Sequence, residues 1–181
     1  MHVISRIIAA LVVSVVCVVG EAAQAAERIV IFPFDLLLQK KEEDFFYGAS
    51  KPSPDEQRRL AASLEQLRGL IAAEGRYEIV DIAPFAKEIE EAAPLYDCNG
   101  CELDLAKKIG SDVAVVSVVD KASDTLLNMQ INIVNVATGA TLKRGSVVIQ
   151  GNTDEAWARA VKWIHKNKLA AGAEAQPKVQ P

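Results

Sequence analysis

The chain has 181 residues, with 20 Lys and Arg against 24 Asp and Glu for a formal net charge of −4, and 50% of its residues are hydrophobic. That length and balance fit a single globular domain and exclude collagenous, disordered and disulfide-scaffold chains. The mild acidity argues against a nucleic-acid partner, which needs a basic stripe, and a domain of this size folds without disulfide or metal.

The first segment has the pattern of a secretory signal peptide. Residues 1–6 carry one positive charge at Arg6, residues 7–19 are apolar except for Ser14, and Ala23, Gln24 and Ala25 close the segment. This is the n-region, h-region and A-x-A order, and the apolar run is shorter than the ~20 residues of a membrane-spanning helix. Cleavage is expected after Ala25 or Ala26, with an uncleaved anchor as the alternative. Lipidation at Cys17 is disfavoured because Val15 and Val16 are bulky. The expected organisation is a signal peptide over 1–26, a single α/β domain over 27–169 and a disordered tail over 170–181. The mature protein is then periplasmic, with no stable membrane anchor. It keeps Cys98, Cys101 and a single histidine, His165, in an oxidising compartment.

Residues 28–32 form a short buried strand closed by Pro33, which cannot donate to a central ladder. Residues 35–52 are expected to be one long connection, with Phe45, Phe46 and Tyr47 after a charged run. Connections this long are commonly functional, so these aromatics are either a satellite core or a candidate partner-binding loop. Ser53, Pro54 and Glu56 then open a helix with a capping box. Leu60, Leu64, Leu67 and Ile71 form its apolar stripe and Gly75 ends it. A strand over 77–80 and a weaker helix over 84–93 follow.

The next helix spans 102–109 and stops at Gly110. Residues 113–119 are almost wholly apolar, as in a strand buried on both faces. Leu127, Met129, Ile131 and Ile133 alternate with Asn128, Gln130 and Asn132, a half-buried strand whose polar face is expected to be solvated. A turn at Ala137, Thr138, Gly139 and Ala140 leads to a strand over 141–150, which completes an antiparallel meander. Asn152 is expected to cap the last helix, with Trp157, Ala160, Val161 and Ile164 buried, Trp163 also in the core, and Lys162, Lys166 and Lys168 at its carboxyl end. The order β-α-β-α-α-β-β-β-α describes an α/β fold, a single mixed sheet of about five strands covered by helices.

Three motifs, Cys98-Asn99-Gly100-Cys101-Glu102, Asn135-Val136-Ala137-Thr138-Gly139 and Gly151-Asn152-Thr153-Asp154-Glu155-Ala156-Trp157, resemble those of a family of proteobacterial secreted proteins catalogued as a domain of unknown function. More distantly, residues 110–119 with the following hairpin are similar to the amino-terminal domain of TolB. They are also similar to the periplasmic domains of curli-secretion and penicillin-binding-protein-activator lipoproteins. The resemblance implies an interaction module and no assigned activity.

One chemical constellation stands out. Cys98 and Cys101 lie three positions apart at a helix start, with Gly100 allowing the turn. Three readings are open: a structural disulfide; a redox dithiol, opposed by the negative charge of Asp97, Glu102 and Asp104; and a metal site completed by Asp97, Glu102 or His165, which has too few clear ligands for zinc. A c-type haem is excluded because Glu102 stands where His is required. Asp35 follows a strand end, where α/β proteins bind ligands. It has no visible acid or base partner, and an enzyme built on Asp35 with Asp154 and Glu155 rests on little. No P-loop, dinucleotide glycine motif or nucleophile elbow is present in the sequence. The expectation is a secreted periplasmic accessory module with a protein partner, no cofactor, no metal and no catalytic residues, and with a structural Cys98–Cys101 disulfide. The alternative is a thiol–disulfide redox protein using the same pair.

Overall fold

The structure, a computed structural model, describes residues 26–38 and 51–170. The expected signal peptide, the aromatics Phe45, Phe46 and Tyr47 and the tail beyond residue 170 lie outside the described residues. Among the described residues six strands form one mixed sheet: β1 (Glu27–Ile31), β2 (Asp35–Leu38), β3 (Tyr77–Ile79), β4 (Val113–Lys121), β5 (Leu126–Asn135) and β6 (Thr141–Gln150). The sheet order is β3-β1-β4-β5-β6, with β2 also paired to β4. β1 is parallel to β3 and β4, β2 is parallel to β4, and β4-β5-β6 is the expected antiparallel meander.

β4 is buried from Val113 through Val119, and strand alternation divides its side chains between two cores. Val113, Val115 and Val119 join Ile29 and Ile31 in the first, while Ala114 and Val116 join Val30 and Phe32 in the second. Helices α1 (Pro54–Ala73) and α4 (Asp154–Ile164) cover the first core through Leu67, Ile71, Trp157, Val161 and Ile164. The shorter α2 (Ala86–Ala92) and α3 (Cys101–Ile109) cover the second through Ile89, Ala106 and Ile109. Among the described residues, no helix is long and apolar enough to cross a membrane.

The sixth strand, β2, corrects the expectation of an irregular connection from residue 35 onward. β1 pairs Ile31 with Val115, and β2 resumes with Asp35 opposite Val118, so the register slips by one residue across Phe32, Pro33 and Phe34. Pro33 breaks the ladder, and the apolar run Leu36 to Leu38 then pairs with the far half of β4. The slip inverts the alternation. Phe34 and Leu36 fall on the first core, and Asp35 turns to the opposite side, as bulges re-aim side chains.

Two further expectations are corrected. Trp163 is 44% exposed, because the buried stripe of α4 runs through Trp157, Ala160, Val161 and Ile164 and leaves position 163 off that face. The α4 cap is Thr153, whose side chain accepts from the Ala156 N–H at 3.2 Å, which frees Asn152 for other partners.

β6 lies so close to the end of α4 that a Cβ added at Gly145 would clash with Ile164 Cγ2 and sit 2.9 Å from Lys168 Cβ. Gly145→Ala is expected to destabilise the fold by about 1–3 kcal/mol through overpacking, read as a lower urea midpoint at unchanged slope. A midpoint equal to that of the parent protein would contradict this close packing.

Candidate functional site

The Cys pair joins two short elements on the second core. A 3₁₀ turn at Leu95–Asp97 precedes Cys98, and α3 starts at Cys101. Between them Asn99 and Gly100 both have positive φ, 55° and 110°. These reverse the chain so that the two Cα atoms are 5.6 Å apart and the sulfurs form a disulfide, within the usual separation for such a bond. Glu102 Oε2 accepts the Gly100 N–H at 3.0 Å and lies 3.3 Å from Cys98 Sγ. Both cysteines pack against the second core beside Ile109 and Leu105.

With the pair reduced, the two sulfurs and a Glu102 carboxylate oxygen, all within 4.8 Å of one another, would offer three ligands. A structural zinc site takes four, and a disulfide leaves no thiolate. His165, weighed from sequence as a further ligand, follows α4 on the first core, with Nε2 2.6 Å from Glu74 Oε1. The structure does not bring it to the Cys pair.

The turn before Cys98 holds Asp35. The Tyr96 N–H donates to Asp35 Oδ2 at 2.8 Å. Burial pushes this carboxyl above its ordinary value, although the backbone N–H groups of Tyr96 and Leu95 work in the other direction. Tyr96 also reaches the sheet, where its hydroxyl accepts from Gln130 Nε2 at 2.6 Å. Gln130 Nε2 lies 3.3 Å from Asn132 Oδ1, which also accepts from Arg144 Nε at 3.0 Å. The polar face of β5, expected to be solvated, is therefore partly covered, and Asn132 is buried. Alternation in the sequence showed which face was polar. It gave no sign that Tyr96 and Arg144 would cover it.

The glycine-to-tryptophan motif is a clamp between the two helices of the first core. Asn152 Oδ1 accepts from Trp157 Nε1 at 2.9 Å and from Arg59 Nη1 at 3.3 Å, while its amide donates to Glu56 Oε1 at 3.0 Å. Asp154 pairs with Arg58 and Arg59 of α1, the latter through Nε at 2.7 Å. Glu56 completes the capping box with Ser53 and receives Lys121 Nζ from the end of β4 at 2.7 Å. Burial alone would raise the Glu56 carboxyl, but hydrogen bonds from Lys121, Ser53 and Asn152 outweigh it and hold it at about 2. Asp154 and Glu155, weighed from sequence with Asp35 as a possible enzyme site, thus stand at the start of α4, with Asp154 committed to α1.

The family model DUF3280, described as "Protein of unknown function (DUF2380)", matches residues 27–169. No curated protein matches the chain. Among solved structures, the PelC dodecamer from Paraburkholderia phytofirmans is similar at 9% identity and a TM-score of 0.44, over 77% of this chain and 85% of that one. The LpoB C-terminal domain from Escherichia coli is similar at 15% identity and a TM-score of 0.47, over 72% and 87%. Lipoprotein GNA1162 from Neisseria meningitidis is similar at 17% identity and a TM-score of 0.43, over 70% and 82%. With every one of these TM-scores below 0.5, none of the three likenesses bears on what the protein does.

Because the folded Glu56 carboxyl lies below its ordinary value of 4.5, its contribution is present above about pH 4.5 and is lost as the pH falls toward 2. The displacement corresponds to on the order of 3 kcal/mol. Glu56→Gln is expected to flatten the acid side of the stability–pH curve, measured by urea unfolding between pH 2 and 7. A variant curve parallel to that of the parent protein would contradict the clamp. Asn152→Ala is expected to lower stability by about 1–3 kcal/mol, because it strands buried partners; an unchanged urea midpoint would count against it.

Proposed function

The chain belongs to the DUF3280 family, whose model it matches over residues 27–169, and we propose that it is an exported periplasmic interaction module that works by binding a protein partner. In this reading residues 1–26 are a cleaved signal peptide, residues 27–169 the working domain and residues 170–181 a tail. Phe45, Phe46 and Tyr47 contribute to the partner-binding surface. The sequence resemblance to the TolB amino-terminal domain and to curli-secretion lipoproteins supports an interaction role, and the disulfide suits an oxidising compartment.

The observation that carries the reading is the position of the Glu102 carboxylate, 3.3 Å from Cys98 Sγ. A working redox pair stabilises a thiolate, and cysteines do so at helix starts or beside cations. Here a carboxylate sits against the sulfur and opposes that charge, so the reduced form gains nothing from its place at the start of α3. The bond is then a structural lock that fastens the Leu95–Asp97 turn to α3.

Thiol alkylation of the mature protein across buffers of defined potential tests this. The pair is expected to be oxidised as isolated and to resist reduction until below about −300 mV, as structural disulfides do. A midpoint between about −120 and −270 mV, the range of working oxidoreductases, would overturn the reading and make Cys98 the candidate attacking thiol.

A further inference from the structure

We propose that the cleft over Asp35, between the bulge after β1 and the inner side of α2, is a binding site for an organic ammonium ion carried on a small apolar body. The inference goes beyond the interaction-module reading and does not depend on the redox behaviour of the cysteines.

The cleft encloses about 350 Å³, at the small end of the range for ligand pockets. Ile82, Ile89 and Leu95 supply its apolar walls, and its acidic groups are Asp35 and Glu90, with no lysine, arginine or histidine among the described residues of the lining. Among the described residues no ion pair reaches either carboxylate. Other carboxylates on the same chain do have cations, as Glu88 has Lys108 and Glu56 has Lys121.

A partly buried carboxylate with no cation beside it among the described residues is costly in its ionised form, and burial already drives the Asp35 carboxyl upward. The species that relieves this cost is a cation, and an anion would be repelled. Hard metal ions take six or more oxygen ligands or retain their water, which hydrocarbon walls cannot supply. An ammonium ion can instead place its charge at Asp35 and its carbon body against Ile82, Ile89 and Leu95. The one-residue slip at Pro33 aims Asp35 into this space, and bulges are over-represented beside functional sites for that reason. The Tyr96 N–H at 2.8 Å then fixes the carboxylate in place.

The test is a titration of the isotopically labelled mature protein followed by NMR, with n-hexylammonium, hexan-1-ol and hexanoate as probes. Hexylammonium is expected to shift the amide signals of Asp35, Ala86 and Ile89 and to bind at least tenfold more tightly than hexanol, with hexanoate weakest. Asp35→Asn, which keeps an oxygen to accept the Tyr96 N–H, is expected to erase the preference for the cation. Ala86 is exposed on α2 and lines the cleft, so Ala86→Phe is expected to block all three probes and leave the rest of the spectrum in place. A peptide with one lysine between leucines separates two sources of the amine. Tighter binding than hexylammonium assigns the site to a polypeptide side chain, and weaker binding assigns it to a free amine. Equal affinity for hexylammonium and hexanol, or an Asp35→Asn protein that spectrally retains its fold and keeps the tenfold preference, would overturn the proposal.

Discussion

The architecture depends on one strand that has to be buried on both faces. β4 carries apolar side chains from Val113 to Val116 and again at Val118 and Val119, so each face must be covered and each edge paired. Burying its backbone polar groups demands ladder partners along its length. β5 supplies one edge from Val113 to Lys121, and no single strand supplies the other. β1 serves the first half and β2 the second, joined across a proline that cannot pair. The register slip at that join is the cost of using two short strands for one long edge, and it places a carboxylate where alternation would have put an apolar residue.

The remaining polar features divide between the two sides of this sheet. On the first core, Glu56, Asn152 and Asp154 bind α1, the end of β4 and the start of α4 into one unit, and the family motif at residues 151–157 is accounted for by that task. On the second core, the helices are short and the covering layer is held by Tyr96 and the disulfide. The Tyr96 backbone reaches Asp35 and its hydroxyl reaches Gln130, so one residue ties the bulge to β5. Cys98 follows two positions later and is bonded to the first residue of α3. As the structural lock proposed above, this bond would bear on the wall of the cleft as well as on its own loop.

Much of this was legible in the sequence wherever a local signal existed. The capping box at Ser53 and Glu56, the stripe through Leu67 and Ile71, the glycine stop at Gly110 and the alternation of β5 each report local conformation, and the corresponding elements formed. β2 was not legible because its pairing crosses a proline and depends on the far half of β4, a tertiary partner. Asn152 was read as a cap because its type suits one, whereas the hydroxyl of Thr153 was better placed and the amide went to Glu56 and Trp157. Asp35 was marked in the sequence by its place after a strand end, but the cleft around it was not legible, because its walls come from segments around residues 33–35 and 82–95 that share no sequence pattern. Only the bulge brings Asp35 to face α2. The Cys pair was conspicuous in sequence, but the closeness of Glu102 to Cys98 follows from the positive-φ turn at Asn99 and Gly100.

If the disulfide is the proposed lock, it holds the Leu95–Asp97 turn, and through it Tyr96, against the sheet. Amide hydrogen exchange at Tyr96, compared between the oxidised protein and the protein with both cysteines reduced and capped, tests it directly. Much faster exchange at Tyr96 is expected on reduction, with the amides of α1 and α4 unchanged, because those helices are held by the separate clamp at Glu56. Equal protection of Tyr96 in the two forms would contradict it, since the turn would then hold its place without the bond.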